Sequence, residues 1–205
     1  LSKLVAIGGA AEEESFEIQI KVRVNDTAPI YAALQSPEIE ILRKRHYREF
    51  DLYFFFKDVD QGILRYREDE FLGSENQIEQ VRSRLTLIGQ TIEDRFPQEV
   101  LLSRSRYMAS ATQSPRFYRE YFKPHQEKEI EKDRIRFLVK YKGFEFFINI
   151  DEITKPQIGH FLEVKSRTWS RQDAEKKSTL VTQLIEFLGG DLHQTTSDDY
   201  IEMVK

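Results

Sequence analysis

The chain has no cysteine. Disulfides, thiol nucleophiles and cysteine-based zinc sites are excluded together, which fits a cytoplasmic protein. Histidine is scarce as well: His46, His125, His160 and His193 are the full set, and none makes an H-x-x-x-H or H-E-x-x-H spacing, so each reads as a surface or packing residue. A Gly-x-x-x-x-Gly-Lys-Ser/Thr run is missing, so the chain carries no P-loop, and a Ser-His-Asp triad has no support either. Apolar runs stay well short of the ~18 residues a membrane-spanning helix requires. Residues 1–10 lack the basic start and long apolar stretch of a secretory leader, so no membrane partner is expected.

What is present is aromatic and charged. The 205 residues are 40% hydrophobic and include 15 Phe and 9 Tyr, enough surface to bury for one large domain with a tail. Residues 1–14, with Gly8-Gly9 and the run Glu12-Glu-Glu14, read as a linker or tail, leaving 15–205 as the domain. Near the other end a helix is expected over 171–188. Ser170 is placed to cap it with Asp173 three residues on, Ala174, Leu180, Val181, Leu184, Ile185 and Leu188 form one stripe, and Gly189-Gly190 stops it. Pro115 and Pro124 bracket a short aromatic helix, read as a packed cap over one barrel mouth in preference to a lid or partner surface. Trp169 reads as a packing anchor. The basic cluster of Arg43, Lys44, Arg45 and Arg48 reads as a solvated strand end.

Between the ends the period is two. Phe16, Ile18, Ile20, Val22 and Val24 alternate with Glu17, Gln19, Lys21 and Arg23. Similar alternation occurs around Leu64–Tyr66, Leu85–Leu87, Ile135–Tyr141, Phe144–Ile150 and Leu162–Val164, and Tyr141-Lys-Gly143 suits a hairpin turn. The polar face of these strands is not mixed in sign. Lys21, Arg23, Arg65, Arg67, Arg82, Arg84, Arg104, Arg106, Lys132, Arg134, Arg136, Lys140, Lys165 and Arg167 stand against five carboxylates: Glu17, Asp69, Glu145, Asp151 and Glu163. The whole chain is nevertheless at −4, which argues against long nucleic acid as a partner. Like charges on adjacent strands repel, so this face calls for a compensating polyanion. Guanidinium forks suit phosphate oxygens. A sheet closed with its charged face inward and its apolar face under helices would focus that field on a small anion.

Several short motifs carry a family resemblance. Glu17-Ile-Gln19-Ile-Lys21 resembles the ExExK strand of CYTH domains, the triphosphate tunnel metalloenzymes. Leu64-Arg-Tyr-Arg67 resembles their LRxR strand, and Leu85-Thr-Leu-Ile-Gly89 their LTxKG strand. Asp151 followed by Gly159-His-Phe-Leu-Glu-Val-Lys165 is similar to the closing D…G-x-F-x-E-x-E segment, and Tyr200-Ile-Glu-Met to a terminal YxE-like strand. The resemblance implies a mainly β (α+β) fold, an eight-stranded antiparallel tunnel barrel with a charged lumen and flanking helices. It implies Mg²⁺ or Mn²⁺ as cofactor. Glu17, Glu163 and Asp151 would be the metal-binding carboxylates, the last two also serving the attacking water. Lys21, Arg65 and Arg67, with Arg134 or Arg136, match the phosphate-binding positions. The charged face adds Arg23, Arg84 and Lys165. Some members are fused behind a uridine-kinase-like P-loop domain, with which the start of this chain is compatible.

Three departures stand out. Gln19 replaces the second Glu of ExExK, Ile88 the Lys of LTxKG, and Lys165 the last Glu of the closing motif. Mg²⁺ wants oxygen ligands, so one ion is expected and a second is not. The preferred reading is a metal-dependent phosphohydrolase acting on tripolyphosphate, pyrophosphate or a nucleoside triphosphate. The alternative is a non-catalytic polyphosphate- or nucleotide-binding domain that regulates a larger kinase-like protein. A class IV-type adenylate cyclase ranks third, because no base-recognition pocket is evident.

Overall fold

A computed structural model of the chain describes residues 16–58, 62–88, 100–102, 105–168, 170–196 and 200–204. The expected linker at 1–14, Arg104 and Trp169 lie outside these residues, as does the side chain of Arg106. In chain order the elements are β1 (Phe16–Val24), α1 (Ala28–Ala33), β2 (Ile39–Phe55), β3 (Ile63–Leu72), β4 (Ile78–Ile88), β5 (Val100–Leu102) and β6 (Ser105–Ser110). There follow α2 (Pro115–Phe122), β7 (Gln126–Tyr141), β8 (Phe144–Lys155), β9 (Gln157–Thr168), α3 (Arg171–Phe187), a 3₁₀ turn (Leu192–Gln194) and α4 (Tyr200–Met203).

All strands join one sheet in the order β5-β1-β9-β8-β7-β2-β3-β4-β6, with every neighbouring pair antiparallel. Its two outermost strands, β5 and β6, are consecutive in the chain. Leu102 and Ser105 are three peptide units apart, a reach of at most about 11 Å. The sheet must therefore curl until its edges nearly meet, which makes a tunnel of eight longer strands and the three-residue β5. The tight β7–β8 hairpin is the one its turn residues predict. Lys142 and Gly143 both take positive φ, 49° and 85°, the pair of left-handed residues that a two-residue type I′ turn needs.

The outer face of β1, β7, β8 and β9 carries the main core. Ile18, Ile20 and Val22 of β1, Ile148 of β8, Leu162 and Val164 of β9 and Val139 of β7 pack with Ala174, Val181, Leu184, Ile185 and Leu188 from the stripe of α3. Each such aliphatic side chain contributes about 1.5–3 kcal/mol on full burial. Ser170 caps α3 by accepting from Asp173 N at 3.3 Å. The helix then stops where Gly189 turns left-handed, at φ 81°, and Gly190 passes so close that a Cβ would lie 2.8 Å from Ile185 Cγ2.

Three expectations are corrected. Strand β2 runs much further than the solvated strand end read at Arg43, Lys44, Arg45 and Arg48, which are exposed along it. Its alternation is broken by a bulge between Ile41 and Arg43 and by a terminal aromatic run, Tyr53-Phe-Phe-Phe56, in which both faces are apolar. The aromatic helix α2 packs through Tyr118 against Leu52, Phe54, Leu64 and Tyr66. Those residues lie on the outer face of β2 and β3, so α2 covers the side wall and not a mouth. Residues Tyr200–Met203 form a helix where the resemblance implied a strand.

Candidate functional site: a one-ended basic tunnel

The inward face is set by strand parity and locked by register. Lys21 lies opposite Glu163, Gln19 opposite Lys165, Asn149 opposite Glu163, Arg134 opposite Asp151 and Arg136 opposite Asn149. Across β2, β3 and β4, Glu49 pairs with Asp69 and Asp51 with Arg67, and Arg67 with Arg84. The charged residues singled out from sequence on these strands are thus brought onto one surface. Arg23 stands apart from the centre. It is exposed, donates to Ile158 O at 2.5 Å and sits 5.4 Å from the Phe161 ring.

The tunnel centre holds two carboxylates that sequence reading missed, Glu49 and Asp51, both on β2. Asp51 accepts a fork from Arg67 Nε and Nη2 at 2.5 and 2.6 Å and a bond from Lys132 Nζ at 3.1 Å. Glu49 lies 2.9 Å from Lys132 Nζ, 3.2 Å from Arg67 Nη1 and 3.6 Å from Arg134 Nη1. Burial would raise both acids. Around Glu49 the Arg134, Arg67 and Lys132 charges outweigh it, and around Asp51 the Arg67 and Lys132 charges do, so both stay ionised, below the usual carboxylate range. The one signal in the sequence was the alternation of Phe50, Leu52 and Phe54 with Glu49 and Asp51.

These internal pairs neutralise part of the basic face but not all of it. Arg65 Nε is buried without a hydrogen-bond partner among the described residues, as is Arg84 Nε. Burial pulls the Arg84 guanidinium below its ordinary value, and the 2.7 Å bond to Asp69 offsets this only in part. Burial likewise lowers Arg136, with repulsion from Arg134 adding to it. Arg136 donates to Asn149 at 2.8 Å and lies between the Tyr47 and Phe147 rings. A cation depressed by burial is one whose charge its surroundings under-compensate.

The three expected metal ligands are dispersed among partners. Asp151 accepts a fork from Arg134 at 2.6 and 2.5 Å and a bond from Tyr200 Oη at 2.6 Å. Glu163 accepts from Asn149 Nδ2 and lies 3.7 Å from Arg134. Against the effect of its burial, Lys165, Arg134 and Lys21 hold its carboxyl below the usual range. Lys165 Nζ is 3.6 Å from Glu163 Oε2 and 3.8 Å from Glu17 Oε1, and Glu17 also faces Arg167 at 3.8 Å. Among the described residues no three acidic or histidine side chains converge to hold an ion. The donor set at Glu17 and Glu163 does not fit a resident divalent cation, because an ammonium already contacts both.

One end of the tunnel has an apolar floor. Tyr53, Ile130, Ile153 and Phe161 point inward there and pack with Tyr200 and Ile201 of α4. The Tyr200 ring lies 5.1 Å from Phe161, beneath Lys21 Nζ at 4.4 Å and Lys132 Nζ at 5.4 Å. Burial, followed by the Asp151 and Glu163 charges, raises the Tyr200 hydroxyl well above its ordinary value, so it remains a proton donor to Asp151. At the other end Glu17, Arg82 and Arg167 are partly exposed, at 23%, 42% and 38%. A cavity of about 330 Å³ beside β2, β3 and β7 is lined by Glu49, Glu68, Glu70, Glu131 and Asp133 against Arg48 and Lys132, a net acidic lining and the wrong sign for phosphate.

No protein-family model and no curated protein sequence matches the chain. Solved structures do match its fold. The PH1819 protein of Pyrococcus horikoshii OT3 aligns with a TM-score of 0.64 at 18% identity, over 92% of this chain and 97% of that one. HpAC1 of Hippeastrum, an adenylyl cyclase candidate described as having a dominant triphosphatase activity, aligns with a TM-score of 0.55 at 11% identity, over 91% and 93%. A chain of the Schizosaccharomyces pombe Mediator head module aligns with a TM-score of 0.52 at 15% identity, over 86% and 96%. The tunnel-barrel fold implied by the motif resemblance is the fold this chain has.

Proposed function

We propose that the chain binds a triphosphate or pyrophosphate moiety in its basic tunnel and hydrolyses it. The observation that carries this reading is the unmet demand of three tunnel arginines: Arg65 Nε and Arg84 Nε are buried without a hydrogen-bond partner among the described residues, and burial holds Arg84 and Arg136 below their ordinary values. A bound phosphate chain supplies the missing negative charge, and guanidinium forks match its oxygens. Phosphoryl transfer proceeds mainly by positioning and charge stabilisation, with little covalent work for the protein. Lys21, Arg67, Arg134 and Lys165 add fixed positive charge around the same centre. Glu163, ionised and buried beside Lys21 and Lys165, is the acceptor that orients the attacking water. The triphosphatase activity ascribed to HpAC1 agrees with this chemistry.

Phosphate release from tripolyphosphate tests the proposal, with Mg²⁺, with Mn²⁺ and with EDTA. Glu163→Gln should lower turnover about 100-fold, the usual scale for losing a positioned acid–base group, while binding changes far less. Equal turnover in the variant would mean that Glu163 does not orient the water.

A second reading is favoured by a specific observation. Lys165 stands against the two carboxylates that the resemblance makes metal ligands, which suits a domain that binds polyphosphate or nucleotide without turnover, for instance as the regulatory part of a larger kinase-like protein. Tripolyphosphate that raises the melting temperature but releases no phosphate identifies that case.

A further inference from the structure

We infer that the Lys165 ammonium takes the place of a divalent ion, so that this tunnel binds its phosphate ligand without metal. The inference rests on the proposed triphosphate binding and defines how that site is charged. Lys165 extends from β9 into the lumen opposite Gln19, where a carboxylate on either strand would have enlarged the acidic set. Instead Nζ approaches Glu17 Oε1 and Glu163 Oε2 within 3.8 and 3.6 Å. An ammonium offers three donors and a compact charge but no ligand atom. It satisfies the two carboxylates electrostatically and repels a second cation from the same space.

The surroundings reinforce this arrangement. Arg134 Nη2 is 3.7 Å from Glu163 Oε2, and Arg167 Nη2 is 3.8 Å from Glu17 Oε2. Asp151 has its oxygens engaged by Arg134 and Tyr200. A divalent ion entering here would have to displace Lys165 and compete with two guanidiniums for its oxygens. A phosphate chain would instead meet Lys165 on the side away from the carboxylates, since that side chain is still 24% exposed.

Calorimetric titration with sodium tripolyphosphate in EDTA, and again in excess Mg²⁺, tests the assignment, together with Mn²⁺ titrated alone. The wild-type chain should bind tripolyphosphate at least as tightly in EDTA as in Mg²⁺ and show no Mn²⁺ site. Lys165→Glu should create Mn²⁺ binding that the wild type lacks, by adding a third carboxylate beside Glu17 and Glu163. Lys165→Gln, a milder change, should weaken tripolyphosphate in EDTA about tenfold without creating a Mn²⁺ site. Tripolyphosphate binding that needs Mg²⁺, or saturable Mn²⁺ binding by the wild type, overturns the inference and leaves the triphosphate reading intact. Absence of tripolyphosphate binding under both conditions overturns both.

Discussion

Glu49 shows how a buried carboxylate turns a repulsive arrangement into a stable one. It sits within 3.6 Å of Arg67, Lys132 and Arg134, three cations on two different strands. Without it the three would face one another in a low-dielectric centre. Removing one partner of a buried ion pair typically costs about 3–5 kcal/mol, so Glu49→Gln should lower unfolding free energy by about 3 kcal/mol in urea titration. Tripolyphosphate should restore part of that loss, because it replaces the missing negative charge. A variant as stable as the wild type would mean that Asp51 alone compensates the cluster. The pH dependence follows from the same groups. Glu49, Asp51 and Glu163 are all held below their ordinary values, so the folded state binds protons less readily than the unfolded chain. Their contribution is whole above about pH 5 and declines as pH falls through the ordinary carboxylate range near 4. Melting temperature should therefore fall steeply from pH 5 to pH 3, and a flat profile across that window would contradict the network.

At the scale of elements the decisive piece is α4. It is four residues long and has no independent helical stability. It is held by what it meets: the floor formed by Tyr53, Ile130, Ile153 and Phe161, the Tyr200–Asp151 bond, and Lys128 Nζ donating to Val204 O at 2.7 Å. Its position covers one tunnel end, so under the proposed function a phosphate chain would enter from the side of Glu17, Arg82 and Arg167. Ending the chain before Tyr200 should expose the floor and allow longer polyphosphates to thread, seen as a rise in affinity with chain length that the intact chain does not show. Tyr200→Phe is the gentler change. It removes one donor to a buried carboxylate and should cost about 1.5–3 kcal/mol while keeping the end closed. If truncation leaves the chain-length profile unaltered, α4 is packing alone. The motif resemblance gave Tyr200-Ile-Glu-Met as a strand, and periodicity could not correct it, because a four-residue segment has too few positions for either period to declare itself.

The whole molecule separates its charges. The net value of −4 conceals a basic interior surrounded by an acidic exterior that includes Glu68, Glu70, Glu131 and Asp133. A narrow, low-dielectric tunnel focuses the field of its walls on a small anion, while the outer charge disfavours a long polyanion lying along the surface. The open end is partly solvent-exposed and the proposed ligand is ionic. Raising salt from 0.1 to 1 M shortens the screening length from about 10 to 3 Å, so the affinity for tripolyphosphate should fall at least tenfold over that range. Salt-independent binding would point to an apolar ligand.

The sequence by itself determined the period-two strands, the α3 stripe with its Ser170 cap and glycine stop, the β7–β8 hairpin, and the single sign of charge on one strand face. Each is a local property, written in alternation, capping or turn chemistry over a few residues. Tertiary structure decided the rest. Strand β2 declared itself only when its bulge and aromatic end found β3 and β7 as neighbours. The carboxylates Glu49 and Asp51 entered the basic face only through that pairing, and the face is consequently less cationic than its separate strands suggested. Lys165, Glu17 and Glu163 meet across β1 and β9 because residues about 145 positions apart are placed in register. Such pairings depend on which strands the closing sheet makes adjacent, and no local period encodes that choice.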